Sequence, residues 1–210
     1  MKTQKNLSEI VSKAYCINLE HRYDRWYKTK DMFTTHQLTV ERFTAVDGND
    51  IQNDCGYIKK GAAGCLLSHY FLIERSMLMG LKAVFIMEDD VELHPDFNSL
   101  MSECLEQLPD DWEMLMLGGS HWAKPVAVNE RISRVSHTLT SHAYILRAEL
   151  FEELMKQLIS FTQPVDGIFT EIQKRHAVYV TNPPLAWQRG GWSDIEGRDM
   201  HYDHLKSNEQ

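Results

Sequence analysis

Short apolar runs along this chain alternate with longer stretches in which apolar residues recur every three or four positions. Residues 14–19 are the first apolar run and predict a buried strand. Residues 22–36 set Trp26, Met32 and Phe33 on a charged background, the pattern of an amphipathic helix. Residues 40–46 predict a second strand, closed by the turn pair Asp47-Gly48, and residues 49–60 predict an irregular loop. In residues 61–80, Leu66, His69, Leu72, Ile73 and Met77 have the spacing of a buried helix. Residues 83–88 read as the next strand, and Pro95 precedes a helix over 96–108. A strand over 113–117 is stopped by Gly118-Gly119. Residues 120–138 show no clear period and predict a mobile loop with short strands. A strand over 142–146, helices over 148–160 and 167–176, and a last strand over 177–180 complete the pattern. Strands alternating with helices predict an α/β sandwich built on a mainly parallel sheet. Such sheets bind ligands beyond the carboxyl ends of their strands.

The 210 residues suit one domain over 14–196, with a polar N-terminal segment (1–13) and a polar C-terminal tail (197–210). A formal net charge of -8 without a long Lys/Arg run argues against nucleic acid as the main partner. No apolar stretch is as long as a membrane span, and residues 1–13 lack the hydrophobic block of a secretory signal. The expected location is therefore the cytoplasm, with loose association at the inner face of a membrane left open. Cys16, Cys55, Cys65 and Cys104 include no C-x-x-C pair. They read as buried free thiols in a reducing compartment, which argues against both disulfides and a structural zinc site.

The chemistry centres on residues 83–91. A strand-like apolar run ends in Glu88, Asp89 and Asp90, with Glu92 just beyond. Packed carboxylates repel one another and are relieved by water, basic partners or a cation. On an extended backbone Glu88 and Asp90 would face the same way and share one ion. Hard oxygen donors with no soft ligand nearby point to Mn²⁺ or Mg²⁺. A solvated acidic turn is the plainer reading. Asp166 follows Pro164-Val165 near a helix start, as either a general base or an N-cap. Glu171 and Asp194 are further base candidates. Ser68 and His69 lie inside an apolar helix, where a histidine is most simply a satisfied core residue. His142 can end a loop or touch a ligand. His201 and His204 have ligand-like spacing near the chain's end. Gln188-Arg189, two glycines and Trp192 resemble a lid, with Arg189 for phosphate and Trp192 for stacking on a sugar.

Several short motifs recur in the order seen in one family. They are Ile17-Asn18-Leu19 with Asp24-Arg25, Phe43-Thr44-Ala45-Val46-Asp47-Gly48, and Gly64-Cys65-Leu66-Leu67-Ser68-His69. After them come Ile86-Met87-Glu88-Asp89-Asp90-Val91, Ser141-His142-Ala143-Tyr144-Ile145, Pro164-Val165-Asp166, and Gln188-Arg189 with Ser193-Asp194-Ile195. The ordered set resembles glycosyltransferase family 25, the lipopolysaccharide and collagen galactosyltransferase group. The resemblance implies a GT-A-type fold, a nucleotide-sugar donor (most often UDP-galactose) and inversion at the anomeric carbon. With this fold, the Glu88 and Asp90 read above as a cation pair would hold the metal. The resemblance sets Asn18, Arg25, Asp47, Gly48, Ser68, His69, Asp89, Gln188 and Arg189 around the donor, with Asp166 as the base. The Glu-Asp-Asp order departs from Asp-x-Asp, because a glutamate in first place keeps the charge but lengthens the reach.

The expected function is metal-dependent transfer of a hexose from a UDP-sugar to a hydroxyl of a glycan acceptor, such as a lipooligosaccharide or other surface glycan. A lipid-linked acceptor would bring the protein to a membrane surface; oligomeric state is left open. The alternatives are a metal-dependent nucleotidyl or phosphoryl transferase, which lacks a Walker-type glycine loop here, and a non-catalytic glycan-binding relative.

Overall fold

The computed structural model describes residues 6–52 and 58–206. Cys55 and the middle of the expected 49–60 loop lie outside the described residues. In chain order the elements are α1 (Leu7–Ile10), β1 (Ala14–Asn18), α2 (Tyr23–Thr35), β2 (Glu41–Thr44), α3 (Lys60–Leu78), β3 (Ala83–Glu88) and β4 (Val91–Leu93). They continue with α4 (Phe97–Gln107), β5 (Met114–Met116), β6 (Ser120–His121), β7 (Val126–Ala127), β8 (Ile132–Arg134), β9 (Thr138–Leu139) and β10 (Ala143–Arg147). Last come α5 (Phe151–Leu158), α6 (Val165–Gln173), β11 (Val178–Thr181), β12 (Ala186–Gln188), β13 (Gly191–Ser193) and β14 (Arg198–Met200).

Eight strands form the central sheet in the order β2-β1-β3-β10-β5-β11-β8-β7. β10 runs antiparallel to β3 and β5, and β8 antiparallel to β11 and β7, so six of the eight strands share one direction. The expected mainly parallel α/β sheet flanked by helices is present.

Alternation along the strands builds two cores. Val84 and Ile86 of β3, with Tyr144 and Leu146 of β10, face one layer that includes Leu66, Leu72 and Ile73 of α3 and Phe169 of α6. Ala83, Phe85 and Met87 face the other, with Phe33 of α2 and Phe97, Met101 and Leu105 of α4. Glu88 therefore inherits the α3 side of the sheet.

Two glycines let the loop after β2 touch α3. A Cβ on Gly64 would come 2.6 Å from Val46 O and 2.8 Å from Gly48 N, and one on Gly48 would come 2.3 Å from Lys60 O. The expected loop over 120–138 is short paired strands, β6 with β9 and β7 with β8. Residues 197–206 fold back onto the domain. β14 pairs with β13, and Leu205 is fully buried.

Candidate active site

The site lies where β3 ends. Residues 89 and 90 form a turn into β4, which corrects the extended-backbone reading. The two-residue alternation stops at Glu88, and the turn sends the three acids to different partners.

Asp89 points into the fold. Asn18 Nδ2 donates to its Oδ2 at 2.6 Å and Arg25 Nη1 to its Oδ1 at 2.6 Å. Its backbone carbonyl accepts from Thr29 Oγ1 at 2.7 Å and Arg189 Nη2 at 3.0 Å. Burial pushes the Asp89 carboxyl up despite Arg25 and Asn18. Arg25, expected at a diphosphate, is held by Asp89 and by the Trp192 carbonyl at 2.7 Å.

Asp90 is different. Its Oδ1 is buried without a hydrogen-bond partner. Its Oδ2 has only a long contact, 3.5 Å, from Gln188 Nε2. Burial first, then the charges of Glu88 and Asp89, push its carboxyl up to about 7. β12 runs antiparallel to β4 and brings Gln188 and Arg189 to this turn. Arg189 N donates to the Asp90 carbonyl at 2.7 Å.

Glu88 accepts from Ser141 Oγ at 2.5 Å, and His69 Nε2 stands 3.4 Å from its Oε1. Burial alone would raise the Glu88 carboxyl, but His69, Ser141 and His142 outweigh it and hold it below its ordinary value. His69 is fully buried, and its Nδ1 lies 2.7 Å from the Tyr144 hydroxyl. Donation by that hydroxyl puts the ring proton on Nε2, facing Glu88.

The donors of Cys65, His69 and Glu88 all lie within 4.8 Å of one another. The premise that no soft ligand lies nearby is therefore corrected: the Cys65 thiol is close to Glu88. Cys65 and His69 are one turn apart on α3, and β3 alternation turns Glu88 towards them. The trio is assembled from α3 and a strand end, without a C-x-x-C pair. No other such trio occurs among the described residues, His201 and His204 included.

Asp166 is not the N-cap of α6. That position is Pro164, and Asp166 sits in the first turn with its Oδ1 accepting from Gly167 N at 2.9 Å. Burial, followed by the charge of Glu88, raises its carboxyl, the direction a base near neutral pH requires. Glu171, half-exposed, pairs with Lys174 at 2.6 Å. Asp194 pairs closely with Arg22.

Other expected residues have local tasks. Ser68 Oγ donates to Gly64 O at 2.7 Å and accepts from Val46 N at 2.8 Å, so it ties the β2 exit to α3. Asp47 caps the turn Gly48–Asp50 by accepting from Asn49 N at 2.8 Å. Buried His142 binds Thr140 Oγ1 at 2.9 Å and the Ala186 carbonyl at 3.1 Å, and burial lowers its pKa. Trp192 is exposed on the β13–β14 hairpin. Sequence reasoning missed Arg42, whose Nε donates to Asn18 Oδ1 at 2.7 Å and whose Nη2 donates to Glu20 O at 2.9 Å.

The model of glycosyltransferase family 25 (LPS biosynthesis protein) matches residues 11–163. The chain belongs to that family. A glycosyltransferase 25 family member of Aedes aegypti is 31% identical over 128 residues, covering 51% of this chain and 21% of that protein. An inactive glycosyltransferase 25 family member 3 of Mus musculus is 25% identical over 136 residues, covering 54% of this chain and 23% of that protein. The chain thus spans under a quarter of the length of these two family members. A solved glycosyltransferase involved in glycosylation of the major capsid of PBCV-1 superposes with a TM-score of 0.42 at 6% identity, over 72% of this chain and 67% of that one.

The donor chemistry fits a divalent cation. Asp90 offers an orphaned buried oxygen beside Glu88, and a cation there would remove the repulsion that raises Asp90.

Proposed function

We propose that this family 25 chain is a metal-dependent inverting glycosyltransferase. It transfers a hexose, galactose first among the candidates, from a UDP-sugar to a glycan hydroxyl. The observation that carries the reading is the partnerless Asp90 Oδ1 in the turn that follows Glu88. Asp90 and Glu88 would hold Mn²⁺ or Mg²⁺, which when bound supplies charge neutralisation for a diphosphate leaving group. Asn18, Arg25, Thr29 and Arg189 fix the turn through Asp89 and leave Asp90 free for the ligand. Asp166, raised by burial and by Glu88, takes the acceptor's proton. The acceptor oxygen bonds to the anomeric carbon as the carbon–oxygen bond to UDP breaks, through an oxocarbenium-like transition state. A lipooligosaccharide or other surface glycan is the acceptor class proposed, with the reaction set in the cytoplasm beside a lipid-linked acceptor.

The test is transfer from UDP-galactose to a glycan acceptor, with product configuration read by NMR. Transfer with inversion, lost on chelation, is expected. Asp166→Asn should lower kcat by about 10²–10⁴-fold and leave UDP binding unchanged. Retained configuration, or an Asp166→Asn variant of full activity, would refute it. The similarity to a mouse relative named inactive favours one second reading, a non-catalytic glycan-binding protein. That reading expects glycan binding without turnover.

A further inference from the structure

The Cys65–His69–Glu88 cluster has a chemistry that a diphosphate site does not need. We propose that Cys65 Sγ, His69 Nε2 and Glu88 Oε1 bind a thiophilic divalent cation of the Zn²⁺ class, at a site whose chemistry differs from that of the Asp90 oxygens. Two independent observations meet here. The three donors lie within 4.8 Å of one another, and His69 Nε2 is buried, has no aligned hydrogen-bond partner and faces Glu88. The fold supplies the set for simple reasons. Positions i and i+4 of α3 present Cys65 and His69 on one face, and β3 alternation turns Glu88 towards them.

Zinc bonds of about 2.0–2.3 Å place tetrahedral donors roughly 3.5 Å apart. The His69–Glu88 pair, at 3.4 Å, already has that separation. The outer contacts of a metal site are also present. The Tyr144 hydroxyl, 2.7 Å from His69 Nδ1, can accept a hydrogen bond from Nδ1–H once Nε2 coordinates. Ser141 Oγ orients the Glu88 carboxylate. Coordination releases the Cys65 thiol proton to solvent, and the mixed sulfur, nitrogen and oxygen set selects Zn²⁺ over Mn²⁺ or Mg²⁺. Three protein ligands leave a fourth position for water. Glu88 belongs to both donor sets, so a soft ion here draws it away from Asp90. The binding itself does not rest on the glycosyltransferase reading.

Co²⁺ titration of the full chain tests the site. A thiolate-to-cobalt charge-transfer band saturating at one equivalent is expected, bleached by Zn²⁺ and lost in Cys65→Ser. Asp90→Asn should keep the band, which separates this site from the hard-cation one. Tyr144→Phe should keep it too, with affinity weakened about 10–100-fold. Absence of the band from folded wild-type protein, or its survival in Cys65→Ser, would overturn the proposal. Should Cys65→Ser fail to fold, Zn²⁺ must slow alkylation of Cys65 in the wild type, and unchanged alkylation would overturn it equally.

Discussion

Replacing Arg25 by methionine tests how the acid turn is held. The Arg25–Asp89 contact is 2.6 Å long, and the two side chains are only 19% and 9% exposed. Removing one partner of such a pair leaves a buried charge without compensation, at a cost of about 3–5 kcal/mol. The lower end applies here, because Asn18 still donates to Asp89 Oδ2. For a chain of this size each kcal/mol lowers Tm by about 2–4 °C, so the expected loss is roughly 6–12 °C. The urea midpoint should fall with the slope unchanged. Asp89→Asn added to Arg25→Met should recover most of the loss, since no bare charge then remains. The deficit of the single variant should also shrink as pH falls, because protonated Asp89 needs no cationic partner. A loss below about 1 kcal/mol, the worth of an exposed pair, would show that Arg25 does not compensate a buried Asp89 charge.

Gly64→Ala should destabilise by about 1–3 kcal/mol or more, because its Cβ would meet the Val46 carbonyl and the Gly48 nitrogen; a Tm equal to wild type would show that the loop after β2 gives way freely. Asp90 should impose a pH dependence on the cation-free protein. Its folded pKa of about 7 lies above the ordinary 3.8, so its stabilising contribution is complete below about pH 4 and is lost as pH rises through about 7. Thermal scans should show Asp90→Asn gaining on wild type across that window, and parallel curves would remove the basis for an electrostatically crowded site.

Much of the frame was legible because it rests on periodicity. The helix expected over 61–80 is Lys60–Leu78, and the strand expected over 83–88 is Ala83–Glu88. Direction was not legible in the same way. β10 is buried along nearly its whole length, and such a strand reads alike whether parallel or antiparallel. The strands between residues 120 and 139 are two or three residues long, too short for a period of two to emerge.

Within the site, the carboxylate run was visible, but the division of labour was not. Asp89 turns inward because Asn18 and Arg25 receive it, and those partners lie 71 and 64 residues away. The approach of Cys65 to Glu88 could have been anticipated. Helical spacing pairs Cys65 with His69, and strand alternation sends Glu88 to the face that α3 covers. What spacing alone does not reveal is which helix covers which face.

The proposed function turns on Asp90 and Glu88 holding a divalent cation that carries a uridine diphosphate. Calorimetric titration of UDP into the full chain, with Mn²⁺ and with chelator, tests it most directly. Binding is expected only with Mn²⁺, and none in Asp90→Ala. Equal binding with chelator present, or undiminished Mn²⁺-dependent binding by Asp90→Ala, would contradict it.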